Sequence, residues 1–212
     1  MSTARDLQIV ALGVAPDAPV ASGDLSLALA GAELIDLIET RSVEIDGDRI
    51  VPGITTASGD RLLDEAASSL IRQEPYESTE DWLWRRGRGL SSAYLAALET
   101  DGLLVRVRGR RFRGQTDRRS PTDSPARRHA EARQASGDPV FAALTAAVGI
   151  ADKSTTAAGI PEDASDDGVP GPGDDAVEAV LAAVGDAVTE LEAVRQRRTI
   201  EDAAFDNIWR GA

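Results

Sequence analysis

The chain has 212 residues and 42% hydrophobic composition, enough for one domain with a substantial core, but aromatics are only 4%, so Leu, Ile, Val and Ala must build it. It contains no cysteine, which excludes a disulfide framework, thiolate metal sites and a cysteine nucleophile. The net charge of −13 conceals a segregation: Trp82 to Arg133 holds 13 Arg against five acids, and the remainder is strongly acidic. Charges are screened over about 8 Å in physiological salt, so a partner meets the local basic patch, not the total.

Asp6 interrupts the first residues, MSTARDLQIV, where a signal peptide would need its apolar stretch, and no run approaches the ~18 apolar residues of a membrane span. A cytoplasmic protein is expected. Lys153 is the single lysine against 22 Arg, a usage that points to a GC-rich bacterial genome.

Asp24 to Thr40 carries Leu, Ile and Ala over most of a helical surface, which predicts a buried central helix. Ser42 to Val51 reads as a small hairpin around Asp46-Gly47. Ser58 is a suitable N-cap for a helix running to about Arg72, and Ser78-Thr79-Glu80-Asp81 resembles a capping box before Trp82 and Leu83. Leu90, Tyr94 and Leu98 resume helical spacing until Gly102.

Leu103 to Gly114 alternates and turns at Gly109-Arg110, which predicts a protruding type II′ hairpin pairing Val107 with Phe112 and Arg106 with Arg113. That register puts Arg106, Arg108, Arg111 and Arg113 on one side and Val105, Val107 and Phe112 on the other. Residues 117–137, rich in Ser, Pro and Arg, read as a mobile basic loop. A helix starts near Pro139 with Phe141, Leu144 and Val148 as its stripe. Residues 152–175 read as an acidic disordered linker, followed by a long helix from Asp174 to Arg198 and a short one holding Phe205, Ile208 and Trp209.

Little of this is catalytic chemistry. His129 is the only histidine and falls in the expected loop, so no His-based dyad, triad or metal cluster is supported. Asp60, Asp64 and Glu65 sit in a helix's first turn, where carboxylates complement the dipole. Trp82 and Trp84 beside Arg85, Arg86 and Arg88 combine amphipathic rings with phosphate-pairing groups. No enzyme and no cofactor are expected.

Several segments, in order, resemble the Golgi phosphoprotein 3 family: Leu27 to Val51, ASGDRLLDEAASSL (Ala57 to Leu70), and Gly89 to Leu104. The resemblance implies a mainly α, single globular domain over 1–212 with small β-hairpins, one of them protruding and Arg-rich. It also implies a non-enzymatic, peripherally membrane-associated protein that binds phosphatidylinositol 4-phosphate in the eukaryotic members. Of the family's headgroup positions, Arg88 matches, whereas Ala21, Ala30 and Ser91 depart.

The expected function is binding of anionic phospholipid headgroups through Arg88, Arg85 and Arg86, with the Arg106, Arg108, Arg111 and Arg113 ribbon facing the membrane. Four ribbon arginines supply roughly 4 kcal/mol, near millimolar affinity, so a homo-oligomer or a bound headgroup must add the rest. The alternatives are a winged-helix-like nucleic-acid binder, disfavoured because Leu90, Ser91, Ser92, Ala93 and Ala96 offer no Arg, Asn or Gln for base edges, and a protein–protein adaptor.

Overall fold

The computed structural model describes residues 2–14, 20–54, 56–108, 117–150 and 172–210; for 105–108, 117–120, 172 and 203–210 it describes the backbone. Eight helices and two separate two-stranded antiparallel sheets make up these residues. The centre is α2 (Ser22–Glu39), thirteen of whose residues are buried, as its nearly all-round apolar surface predicts. Against it pack α1 (Thr3–Gly13), α3 (Arg61–Ser68), α4 (Thr79–Arg86), α5 (Leu90–Thr100), α7 (Pro139–Ala147) and α8 (Pro172–Arg210). One continuous core of Leu, Ile, Val and Ala, with Trp82, Tyr94 and Phe141 fully enclosed, joins them.

Small residues set how closely α2 and α8 approach. A Cβ built on Gly31 would lie 2.3 Å from Val184 Cγ2, so only a glycine admits this contact. Gly31→Ala should therefore cost about 1–3 kcal/mol in a denaturant melt, and adding Val184→Ala should recover part of that loss.

The first hairpin forms as expected, β1 (Val43–Asp46) pairing with β2 (Arg49–Pro52) in the register Ile45↔Ile50. The second differs from expectation. β3 (Leu104–Arg108) pairs with β4 (Asp117–Pro121), placing Arg106 opposite Arg119, Val107 opposite Arg118 and Arg108 opposite Asp117. Val107 and Arg106 thus pair with Arg118 and Arg119 and not with Phe112 and Arg113, while the expected turn at Gly109-Arg110 lies outside the described residues. The separation of apolar from Arg positions that it implied is lost, since Val107 opposes an arginine. Residues 109–116, with Arg111, Phe112 and Arg113, lie outside the described residues.

Residues 117–137 are not a loop. After β4, Ser124 caps α6 (Pro125–Ala135) by accepting from Arg127 N, and Pro125 occupies the first turn. The helix was illegible because Ala130 is its single buried residue, so it has no apolar stripe. Of the expected linker, residues 172–175 are the first turn of α8, and 152–171 lie outside the described residues. The long and short terminal helices are one helix of 39 residues.

Candidate functional site

The segment SGDRLLDEA is a structural clasp. Asp60, not Ser58, is the N-cap of α3, accepting from Leu62 N at 3.0 Å, and it also accepts from Ser2 Oγ at 2.5 Å. Ser58 instead donates through its N and Oγ to Asp64, at 2.7 and 2.8 Å, which holds that carboxyl below the usual carboxylate range. Glu65 reaches Arg86 at 2.9 Å, while Leu62, Leu63, Ala66 and Ala67 enter the core. All three carboxylates are thereby spoken for.

The arginines of the α4–α5 junction have three different fates. Arg86 is 10% exposed and holds Glu33, which is 0% exposed, through two hydrogen bonds of 2.7 and 3.0 Å. Arg86 also donates to Leu62 O, and Tyr94 donates its hydroxyl to Glu33 at 3.0 Å. Burial raises the pKa of Glu33, opposed by the Arg86 guanidinium and the Tyr94 hydroxyl. Arg86 is thus an internal counter-ion.

Arg85 makes a bidentate pair with Glu77, at 2.6 and 2.7 Å, and stacks over the Trp82 ring. Trp82 itself is fully buried and donates its indole N–H to Ala30 O at 3.2 Å. Neither residue is an interfacial anchor.

Arg88 is exposed and, among the described residues, makes no hydrogen bond or ion pair. It precedes Gly89, whose φ of 71° suits a residue without Cβ and which begins α5 with no side-chain cap. Of α5's first-turn amides, Ser91 N donates to Ser26 Oγ, so the α5 N-terminus lies against the first turns of α2. Exposed cation and uncapped helix N-terminus together suit an anion. Gly87 suits this approach, because a Cβ there would meet Ser26 O of α2 at 3.3 Å as well as Leu83 O of α4 at 2.6 Å.

The Arg-bearing hairpin is elsewhere. β3 follows the C-terminal end of α5, where Asp101 pairs with Arg5 of α1. The 11 residues of α5 therefore hold Arg88 and the hairpin apart by about 16 Å of helix axis. Arg88 and the hairpin backbone thus stand at opposite ends of α5, and Arg111 and Arg113 of the expected ribbon lie outside the described residues.

At the hairpin pole, α6 docks on α1 through a group missed in the sequence. Asp6 is fully buried, with His129 Nδ1 at 3.2 Å and Arg133 Nη1 at 3.7 Å. Burial raises its pKa against the opposing influence of His129 and Arg133. His129 is thus on a helix rather than in a loop, and its partner Asp6 looked only like an interruption of the N-terminal apolar run. Among the described residues, no group of three or more His, Asp or Glu could hold a metal ion, and no helix is long and apolar enough to cross a membrane.

Residues 4–204 match the family model described as Golgi phosphoprotein 3 (GPP34). The chain belongs to the Golgi phosphoprotein 3 family. None of the curated proteins matches it. The match spans α1 through most of α8. Membership also suggests a role without catalysis at the periphery of a membrane.

Proposed function

We propose that this Golgi phosphoprotein 3 family member is a non-enzymatic, peripheral membrane protein that binds anionic phospholipid headgroups. The observation that carries the reading is Arg88, exposed and unpaired among the described residues, at the uncapped N-terminus of α5. A phosphate there gains the guanidinium, the Ser92 amide and the dipole at once, Leu90 N and Ser91 N being already bonded to Gly87 O and Ser26 Oγ. Arg85 and Arg86 support the site from behind, fixing α4 through Glu77 and Glu33, and do not contact the headgroup. Ala21, Ala30 and Ser91 withhold the side chains that phosphatidylinositol 4-phosphate recognition uses in the eukaryotic members, so the ligand class is an anionic headgroup of broad identity. The hairpin arginines form a second, diffuse basic surface.

Flotation with vesicles of phosphatidylcholine, alone or mixed with phosphatidylserine or a phosphatidylinositol phosphate, tests this. The protein should float only with anionic lipid, less so as salt rises. Arg88→Ala should weaken binding about tenfold or more, the loss of one charge-assisted contact. Reversing Arg106, Arg108, Arg111 and Arg113 to Glu should weaken it mainly at low salt. Protein that ignores anionic vesicles yet shifts duplex DNA would replace this reading with the winged-helix alternative.

A further inference from the structure

The last turn of α2 breaks a rule that helices usually keep. A helix C-terminus carries partial negative charge and favours cations. This one has no basic residue and ends on two carboxylates, Asp36 and Glu39, three positions apart and so on one face. Asp36 is 7% exposed, and the neighbouring charge of Glu39 works against its ionisation. Arg41, beyond the helix end, is exposed and lines neither of the cavities that open here.

Asp36 also differs from the other buried acids of the core. Glu33 has Arg86, and Asp6 has Arg133 together with His129. Asp36 is bonded by Thr3 N, and among the described residues no Arg or His pairs with it. Its raised pKa, about 7, records burial without a counter-ion.

Two cavities share Asp36 and Glu39. The first, of about 510 Å³, is bounded also by Arg5, Thr40, Asp60, Leu63 and Ala126. The second, of about 570 Å³, lies on the α6 side, against His129, Arg133 and Asp138. The charges around both are committed to other partners. Arg5 pairs with Asp101, Arg133 with Thr3 and Asp138, and His129 with Asp6. Asp60 accepts from Ser2 Oγ and Leu62 N. What the shared wall lacks is one cation.

The donor set narrows its kind. Two carboxylates fall short of a metal site, and among the described residues no group of three or more could hold an ion. A primary ammonium has three N–H donors, which Asp36, Glu39 and the Thr40 hydroxyl can accept. Leu63 and Ala126 give the first cavity an apolar wall for a carbon chain.

We propose that Asp36 and Glu39 bind the ammonium of a small primary alkylamine, whose carbon chain lies in the first cavity along Leu63 and Ala126. The site is remote from Arg88. Ser26, which receives the α5 N-terminus, precedes Asp36 by ten residues of α2, about 15 Å of axis. The ligand is accordingly a soluble amine and not an aminophospholipid, and the proposal does not depend on the lipid reading.

Isothermal titration of the full chain with n-butylamine tests it, with n-butanol and sodium chloride at matched ionic strength as controls. Butylamine should bind saturably with one-to-one stoichiometry, and neither control should. Asp36→Asn, which keeps an acceptor for Thr3 N, and Glu39→Gln should each weaken binding about tenfold or more while circular dichroism stays unchanged. A bound ammonium favours the charged form of Asp36, so affinity should rise from pH 6 to 8 and binding near pH 7 should release a proton. The proton appears as a heat that changes with the ionisation enthalpy of the buffer. Equal heats from sodium chloride, binding undiminished in both variants, or no saturable binding would each overturn the proposal. Flotation with phosphatidylethanolamine vesicles that is lost in Asp36→Asn, without butylamine binding, would overturn the choice of a soluble amine.

Discussion

Arg86→Ala should lower the unfolding free energy by about 3–5 kcal/mol in a urea titration. The size follows from what the truncation leaves behind. Glu33 is fully buried on α2, and its carboxylate is balanced by the paired Arg86 bonds and the Tyr94 hydroxyl. Without the guanidinium, a carboxylate sits in a low-dielectric core facing one neutral donor. Leu62 O and Glu65 lose their partner as well. Replacing Glu33, Arg86 and Tyr94 together by Leu, Met and Phe removes both charges and the hydroxyl at similar volume, and should cost far less than Arg86→Ala alone. A triple variant as unstable as the single one would show that packing, not charge balance, dominates. Vesicle binding by Arg86→Ala must accordingly be measured on the folded fraction.

The second large effect is a dependence on pH. Asp36, near the C-terminal end of α2, accepts from Thr3 N with both carboxylate oxygens, at 2.8 and 3.1 Å, so a distant side chain caps α1. Burial pushes its pKa from 3.8 up to about 7, with the Thr3 bonds opposing and Glu39 adding to the rise. A carboxyl whose folded value exceeds its unfolded value gives its full support below the unfolded one and loses it as pH climbs. Stability should thus fall between about pH 4 and 7 and level off above, by about 2–4 kcal/mol from this group. Asp6 and Glu33, also raised by burial, act in the same sense. Asp36→Asn keeps an acceptor for Thr3 N without the charge. Thermal melts of this variant should show a flatter pH profile and a gain at pH 8; an unchanged slope would assign the dependence to the other two groups.

The central helix, the first hairpin and the α4–α5 junction were legible because local chemistry decides them. Apolar periodicity places α2, β-branched residues around Asp46-Gly47 make β1–β2, and Ser78 does cap α4, accepting from Asp81 N at 3.0 Å. The misread parts depend on partners far along the chain. In α1, Asp6 and Gln8 are buried although polar, and Asp6 finds its partners His129 and Arg133 on α6, so the N-terminal pattern looked broken. The β3–β4 register pairs β3 with residues farther along the chain than the strand the alternation suggested. At the candidate site, residue type alone could not separate Arg86, Arg85 and Arg88. What distinguishes them is whether an acid stands within reach, and Glu33 and Glu77 lie on other elements.

The α2–α8 contact has a consequence for how the chain is made. The Arg195–Asp24 pair joins residues 171 positions apart, and Val184 fills the space over Gly31 only once α8 exists. A ribosome delivers α2 well before α8, so until α8 emerges the buried central helix has one flank uncovered. Closing the core is thus a late event, gated by translation rather than by local helix formation. Transcripts that stop short of α8 would release a product whose central helix stays open to chaperones and proteases.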